Sequence, residues 1–227
     1  WIFKQLYDKG LVYSGNKVMP YSWALETPLS NFEAGQNYQD ILTKSIYVRF
    51  EVQANLSKLG LESDVDKNAQ TYFVAWTTTP WTLPSNLALC VNSQVTYVLI
   101  EDLDNPKDDA NIRYIVSKNS IGNLYGKKRV KKVKILAEFP GSKLEGMHYV
   151  PIFPYLADLN AELERDNSNF FKVLCDPYVK DEGIGTAVVH QAPAFGEDDF
   201  RVCSKYGMVD NVSISDYCPL DSQCKFT

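Results

Sequence analysis

The chain has 227 residues, of which 45% are apolar, 22% charged and 13% aromatic. That is enough to bury one large core or one and a half small ones. With 12 glycines and 11 prolines, neither a collagen-like repeat nor a low-complexity or disordered chain fits. The net charge is −5, with five cysteines and two histidines. An odd cysteine count without a Cys-x-x-Cys pair supports neither a closed disulfide framework nor a zinc knuckle, and reduced thiols in a cytosolic protein are the simplest reading.

In chain order, Trp1 to Lys9 reads as the end of an amphipathic helix, with Phe3, Leu6 and Tyr7 on one side and Gly10 as its stop. The chain opens on Trp rather than Met, so this helix is expected to continue from an upstream segment, and no secretory signal pattern is visible. Leu11 to Tyr21 reads as extended and hairpin-like, and Ser22 to Gln39 as turn-rich. From Ile46 a period of two sets Ile46, Val48, Phe50 and Val52 against Tyr47, Arg49 and Glu51, a strand with one wet face. The Asn-x-Ser sequons at Asn55 and Asn211 carry no weight in a cytosolic chain.

No charged residue occurs between Lys67 and Glu101. Pro80, Pro84, Gln70, Ser85, Asn86 and a set of threonines interrupt this stretch, so a membrane span is excluded. Such a segment must be buried or line a pocket. Strands are predicted at Tyr72 to Trp76, Leu87 to Val91, Thr96 to Glu101, Ile112 to Val116 and Lys131 to Glu138. Asp102 to Asp109, with Asp104 and Asp108, reads as an exposed acidic loop. Lys127, Lys128, Arg129, Lys131, Lys132 and Lys134 form a basic run, read either as the solvated face of a strand or as a phosphate-backbone contact.

Helical signals are fewer: Asn119 to Leu124, Ala157 to Arg165, and Glu197 to Tyr206 closed by Gly207. The expected fold class is α+β, a strand-rich, barrel-like core with peripheral helices. The expected partition is a connecting segment over 1–20, a domain over 21–210 and a trailing segment over 211–227.

Any imidazole chemistry falls on His148 or His190. There is no Gly-x-Ser-x-Gly elbow, phosphate-binding glycine loop or His-Glu-x-x-His, so the commonest serine hydrolase, nucleotidase and zinc hydrolase readings drop out. Two segments remain. The first runs from Trp76 through Thr77, Thr78, Thr79, Pro80, Trp81 and Thr82 to Asn86, where a strand enters a proline-stiffened turn. Threonine hydroxyls there can hold a ribose, an ester carbonyl or a water without adding charge, or they serve strand propensity alone. In the second, Thr186 to Gln191 reads as a buried strand ending at His190, followed by Pro193, Gly196 and a helix opening on Glu197, Asp198 and Asp199. The helix N-terminus favours anions, so Asp199 is expected to stay charged and to receive a cation such as an amino group. The competing reading makes the acids simple helix caps.

At these two segments the chain resembles the isoleucyl-tRNA synthetases, specifically the editing domain inserted into their catalytic fold. Thr77 to Asn86 is similar to the family's threonine-rich motif, and Gly185, Thr186, Val189, His190, Ala192, Pro193, Gly196 and Asp199 match its second motif. Tyr21 to Glu33 and Ser45 to Phe50 resemble the approach to the insertion. The last three cysteines, with Cys218 followed by Pro219, resemble the eukaryotic cytosolic branch. Thr79 and Trp81 stand where the valyl and leucyl relatives carry an Arg and an acid. Ala187 departs from the usual Gly, at a place where positive φ would be costly.

The resemblance implies a cytoplasmic editing activity. Hydrolysis of mischarged valyl-tRNA(Ile), or of a similar small aliphatic ester, is expected at the tRNA 3′ end, with isoleucine excluded by pocket size. One methylene is worth about 1–3 kcal/mol, and isoleucine against valine is the standard example of why a second sieve is needed. It implies that Thr77, Thr78 and Thr79 meet the terminal adenosine and ester, that His190 shapes the pocket, and that Asp199 holds the α-ammonium. Trp81, Thr82 and Asn86 are implied in substrate binding. No His-x-Gly-His or Lys-Met-Ser-Lys-Ser segment is present, so ATP and Mg2+ are expected only for a full-length synthetase, with the remainder of that enzyme as partner. Two alternatives stay open: a non-catalytic module that binds the aminoacylated 3′ end, and an editing domain for another aliphatic amino acid.

Overall fold

The computed structural model describes residues 1–53, 56–59, 69–103 and 112–227. Asn55 and the acids Asp104, Asp108 and Asp109 of the expected loop lie outside the described residues. The elements run α1 (Ile2–Asp8), β1 (Tyr21–Ser22), β2 (Thr27–Pro28), α2 (Asn31–Ala34), β3 (Ile46–Glu51), β4 (Gln70–Thr77), β5 (Ala88–Val91), β6 (Thr96–Asp102), β7 (Ile112–Ser117), α3 (Ile121–Arg129), β8 (Val133–Pro140), α4 (Tyr155–Glu162), β9 (Val173–Cys175), β10 (Val189–Gln191) and α5 (Glu197–Lys205). A 3-10 helix over Pro80–Ser85 joins β4 to β5.

Five strands form one sheet in the order β3-β4-β7-β6-β8, and three form another in the order β10-β5-β9. The strand-rich core with peripheral helices is present, and among the described residues both sheets are open rather than closed into a barrel. The uncharged stretch explains this layout. It supplies the inner strand β4 of the large sheet and the middle strand β5 of the small one, each paired in parallel on one side, with β7 and β9 respectively. Such strands are covered on both faces and read as continuous apolar runs. All four residues of β5 are buried.

Alternation along the large sheet divides two cores. Phe73, Leu99 and Ile115 point into the main core with Leu89, Val173 and Leu174 of the small sheet. Their neighbours Val74, Ile100 and Val116 point the other way, against Ile121 of α3.

Three expectations need correction. Thr186–Gln191 is not a single strand, because Ala187 sits at φ +55°, a left-handed conformation outside the β region, and β10 starts only at Val189. The basic run does not lie on one strand face: it spans the end of α3, a 3-10 turn over Val130–Lys132 and the start of β8, after Gly126 (φ +64°) breaks the helix. The opening helix is present, closed by Gly10 at φ +67°, but it buries none of its residues.

Residues 16–26 lie against residues 211–223. Asn16 Nδ2 donates to the Asn211 carbonyl at 2.7 Å, Tyr21 Oη to the Ser222 carbonyl at 2.9 Å, and Glu26 accepts from Ser222 and Gln223. No helix among the described residues is long and apolar enough to cross a membrane.

Candidate functional site

The threonine turn is built by its own hydroxyls. Thr77, the last residue of β4, is buried, and its Oγ1 accepts from the Thr79 amide at 3.0 Å with the Thr79 hydroxyl 3.3 Å away. Pro80 then fixes the first position of the 3-10 helix. One turn on, Thr82 donates through both its amide (3.0 Å) and its Oγ1 (2.9 Å) to the Thr79 carbonyl. Thr77 and Thr82 are therefore structural pins, and Thr78 and Thr79 are the exposed threonines of the row. Asn86 is likewise engaged inside: its Nδ2 donates to the Ala88 carbonyl at 2.9 Å and its Oδ1 accepts from Tyr149 at 2.7 Å. It fixes the start of β5 from within the core.

His190 joins this turn from β10. Its Nε2 lies 2.9 Å from Thr82 Oγ1. The Thr82 hydroxyl proton is already committed to a carbonyl, which can only accept, so the histidine must donate and the proton resides on Nε2. Nδ1 is then a bare acceptor, and it is buried without a partner. Burial pushes the imidazole pKa down to about 4, which keeps the ring neutral.

Asp199 approaches from the first turn of α5. Its Oδ2 accepts from the Ala192 amide, just beyond β10, at 3.1 Å. Gly196 lies beneath it, where a Cβ would stand 2.7 Å from that oxygen, so only glycine lets the carboxylate seat there. The helix dipole was expected to keep Asp199 an ordinary anion. Desolvation outweighs it: burial, with repulsion from Asp198, pushes the pKa up to about 6 despite the stabilising Ala192 hydrogen bond. Asp199 thus remains mostly ionised at neutral pH, as a poorly solvated anion.

Trp81 stands half exposed beside the turn in an edge-to-face pair with Phe195, at 5.2 Å and 78°. Both rings line a cleft of about 780 Å³ whose other walls come from Lys17 to Trp23 and from Cys218 to Cys224. The structure also brings in residues that the sequence reading did not single out. Arg201 bridges Asp198 and the buried Asp176, and Tyr178 accepts from Gln191 of β10. The i, i+3 spacing of Asp198 and Arg201 is visible in the sequence. Asp176 is distant in the chain and gives no local signal.

Several known proteins are similar to this chain. Residues 1–192 match the family model for tRNA synthetases class I (I, L, M and V). The chain is 46% identical over its whole length to the cytoplasmic isoleucine–tRNA ligase of Mus musculus, and 44% identical over 94% of its length to that of Saccharomyces cerevisiae. It is 42% identical over its whole length to the isoleucine–tRNA ligase of Protochlamydia amoebophila. It spans only 16%, 18% and 19% of those relatives. Among solved structures it resembles GlLeuRS-CP1 (TM-score 0.52, 19% identity, 78% of this chain and 70% of that one). It also resembles the Plasmodium knowlesi cytosolic leucyl-tRNA synthetase editing domain (TM-score 0.50, 15% identity, 77% and 69%). The matched family model and the shared architecture together place the chain among the class I tRNA synthetases, with the fold of their editing domains.

Proposed function

We propose that this chain is a proofreading domain of the isoleucyl type, which hydrolyses the ester of mischarged valyl-tRNA(Ile) and spares isoleucyl-tRNA(Ile). The observation that carries the reading is that a neutral His190, bonded through Thr82 to the charge-free threonine turn, stands two residues before Ala192, whose amide holds the partly desolvated carboxylate of Asp199.

Each group has a role its surroundings support. A carboxylate that has lost hydration gains most from a cation, so Asp199 receives the substrate α-ammonium, and that charge draws its pKa back down. The exposed Thr78 and Thr79 hydroxyls meet the terminal adenosine and the ester. His190, fixed in one tautomer by Thr82, forms the pocket wall that leaves no room for the extra methylene of isoleucine. The machinery offers no activated nucleophile, so water attacks the ester carbonyl. A carbon–oxygen bond forms to water, the bond to the ribose oxygen breaks, and a water proton passes to that oxygen, giving valine and a free tRNA end. Positioning and stabilisation of the oxyanion carry the rate. The hydrolysis itself calls for no cofactor, and ATP and Mg2+ belong to a full-length synthetase. The partners are the tRNA(Ile) 3′ end and the remainder of the enzyme, in the cytoplasm.

The test is deacylation of valyl-tRNA(Ile) and isoleucyl-tRNA(Ile) at high concentration of the chain, with Asp199→Ala alongside. Loss of the valyl ester alone, abolished by the substitution, is the expected result. Turnover unchanged in Asp199→Ala overturns the ammonium role. If neither ester is cleaved, the same substitution in a full-length enzyme decides: appearance of misacylated tRNA means the chain lacks only an anchor for tRNA.

A further inference from the structure

Arg201 lies two residues beyond Asp199 and touches its own helix and the loop after β9. Its Nη1 and Nη2 donate to Asp176 at 3.1 and 3.0 Å, while Nε and Nη2 donate to Asp198 Oδ1 at 3.2 and 3.0 Å. The Asp176 side chain, just past β9, is only 3% exposed, whereas Arg201 keeps 48% of its side-chain surface in water. The guanidinium also stands over the Tyr178 ring at 5.7 Å. Tyr178 in turn accepts from Gln191, the neighbour of His190 on β10, at 2.6 Å. One cation therefore links the helix that carries Asp199 to the loop after β9 and, through Tyr178, to the strand that carries His190.

We propose that Arg201 is a positioning residue for the Asp199 carboxylate: its fork on Asp176 fixes α5 against the loop after β9, whose Tyr178 bonds Gln191 of β10, and its pairing with Asp198 offsets the anion next door. The inference rests on reading Asp199 as the ammonium acceptor. The titratable groups that face Asp199 are Asp198 and Cys203 of α5, Cys90 of β5 and Tyr178 of the loop after β9. Burial raises the last three so that they stay neutral, which leaves Asp198 as the repelling charge. Arg201 is the cation paired with it. Lys205 approaches Asp176, at 3.6 Å, and stands over the Tyr206 ring at 5.6 Å. A lysine at 201 would lose the bidentate pairing with Asp176, because it lacks the planar fork.

The experiment follows the Asp199 carboxyl carbon by NMR titration of the chain, with Asp199→Asn giving the assignment. In Arg201→Ala the Asp199 midpoint is expected to rise by about half to one pH unit, and the acidic limb of kcat/KM for valyl-tRNA(Ile) to move with it. Asp198→Asn lowers the midpoint, and Arg201→Ala introduced on top of it produces a smaller shift, as coupled sites require. Arg201→Lys falls between wild type and Arg201→Ala. A midpoint unmoved in a folded Arg201→Ala variant overturns the proposal. Should that variant not fold, an unmoved midpoint in both Arg201→Lys and Asp198→Asn does so instead. If the wild-type chain does not deacylate, the full-length enzyme decides the role of Asp199, while the titration still decides that of Arg201.

Discussion

The threonine turn and the first turn of α5 are held by opposite means. The turn is neutral: hydroxyls, amides and a proline fix it, and the His190 it contacts is uncharged. The helix end is a cluster of acids around one arginine, with Asp199 retained at a cost in solvation. Geometry built from neutral hydrogen bonds survives changes of pH and salt. Geometry built around a desolvated carboxylate responds to both.

The largest test of this contrast is Asp199→Asn. Activity is expected to fall by about a hundredfold or more, while the folded state gains about 1–3 kcal/mol at pH 7, since a carboxylate whose folded pKa lies above its unfolded value weakens the fold when ionised. The sign is specific. This group's contribution to wild-type stability declines as pH rises from about 4 to about 6, and denaturation across that window shows no such decline in Asp199→Asn. His190 acts in the opposite sense: its folded pKa lies below 6.5, so its contribution is lost as pH falls towards about 4.

Gly196→Ala comes next. The added methyl displaces the Asp199 oxygen at 2.7 Å, so deacylation drops by about tenfold with little change in melting temperature, because φ −135° suits alanine. On the neutral side, Thr82→Val removes the partner of His190 Nε2 and is expected to cost about 1–3 kcal/mol in chemical denaturation. It should leave the acidic limb of the pH–rate profile in place, and a shifted limb would break the separation of the two halves. The smallest effect is Ala187→Gly. Relief of the left-handed alanine is offset by the greater freedom of glycine in the unfolded chain, for a net gain of up to about 1 kcal/mol, read as a rise in melting temperature with unchanged turnover.

Period-two alternation located β3, and apolar runs bounded by polar residues located β4 to β7, because those patterns are imposed by burial itself. The helix over Glu197–Lys205 was legible from its acids and from Gly207, which sits at φ +67°. β9 escaped notice: three residues are too few to show a period, and their place is set by pairing with β5. The resemblance drew attention to Thr77 and Asn86, yet not to the fact that their polar atoms are used within the protein. Whether a hydroxyl faces in or out depends on the turn closed around it. The raised pKa of Asp199 was illegible for a related reason, since a helix dipole can be read from position in the chain while desolvation depends on what packs above it.

The middle strand of the small sheet has a consequence for how the protein is made. β5 pairs with β9 and β10, both of which lie far along the chain. On the ribosome its Ala88, Leu89, Cys90 and Val91 emerge first and wait with both hydrogen-bonding edges open until those partners are synthesised. Long-range pairing of this kind is slow and leaves an apolar edge available to other chains. Slowed translation before residue 191 is therefore expected to favour aggregation through this segment.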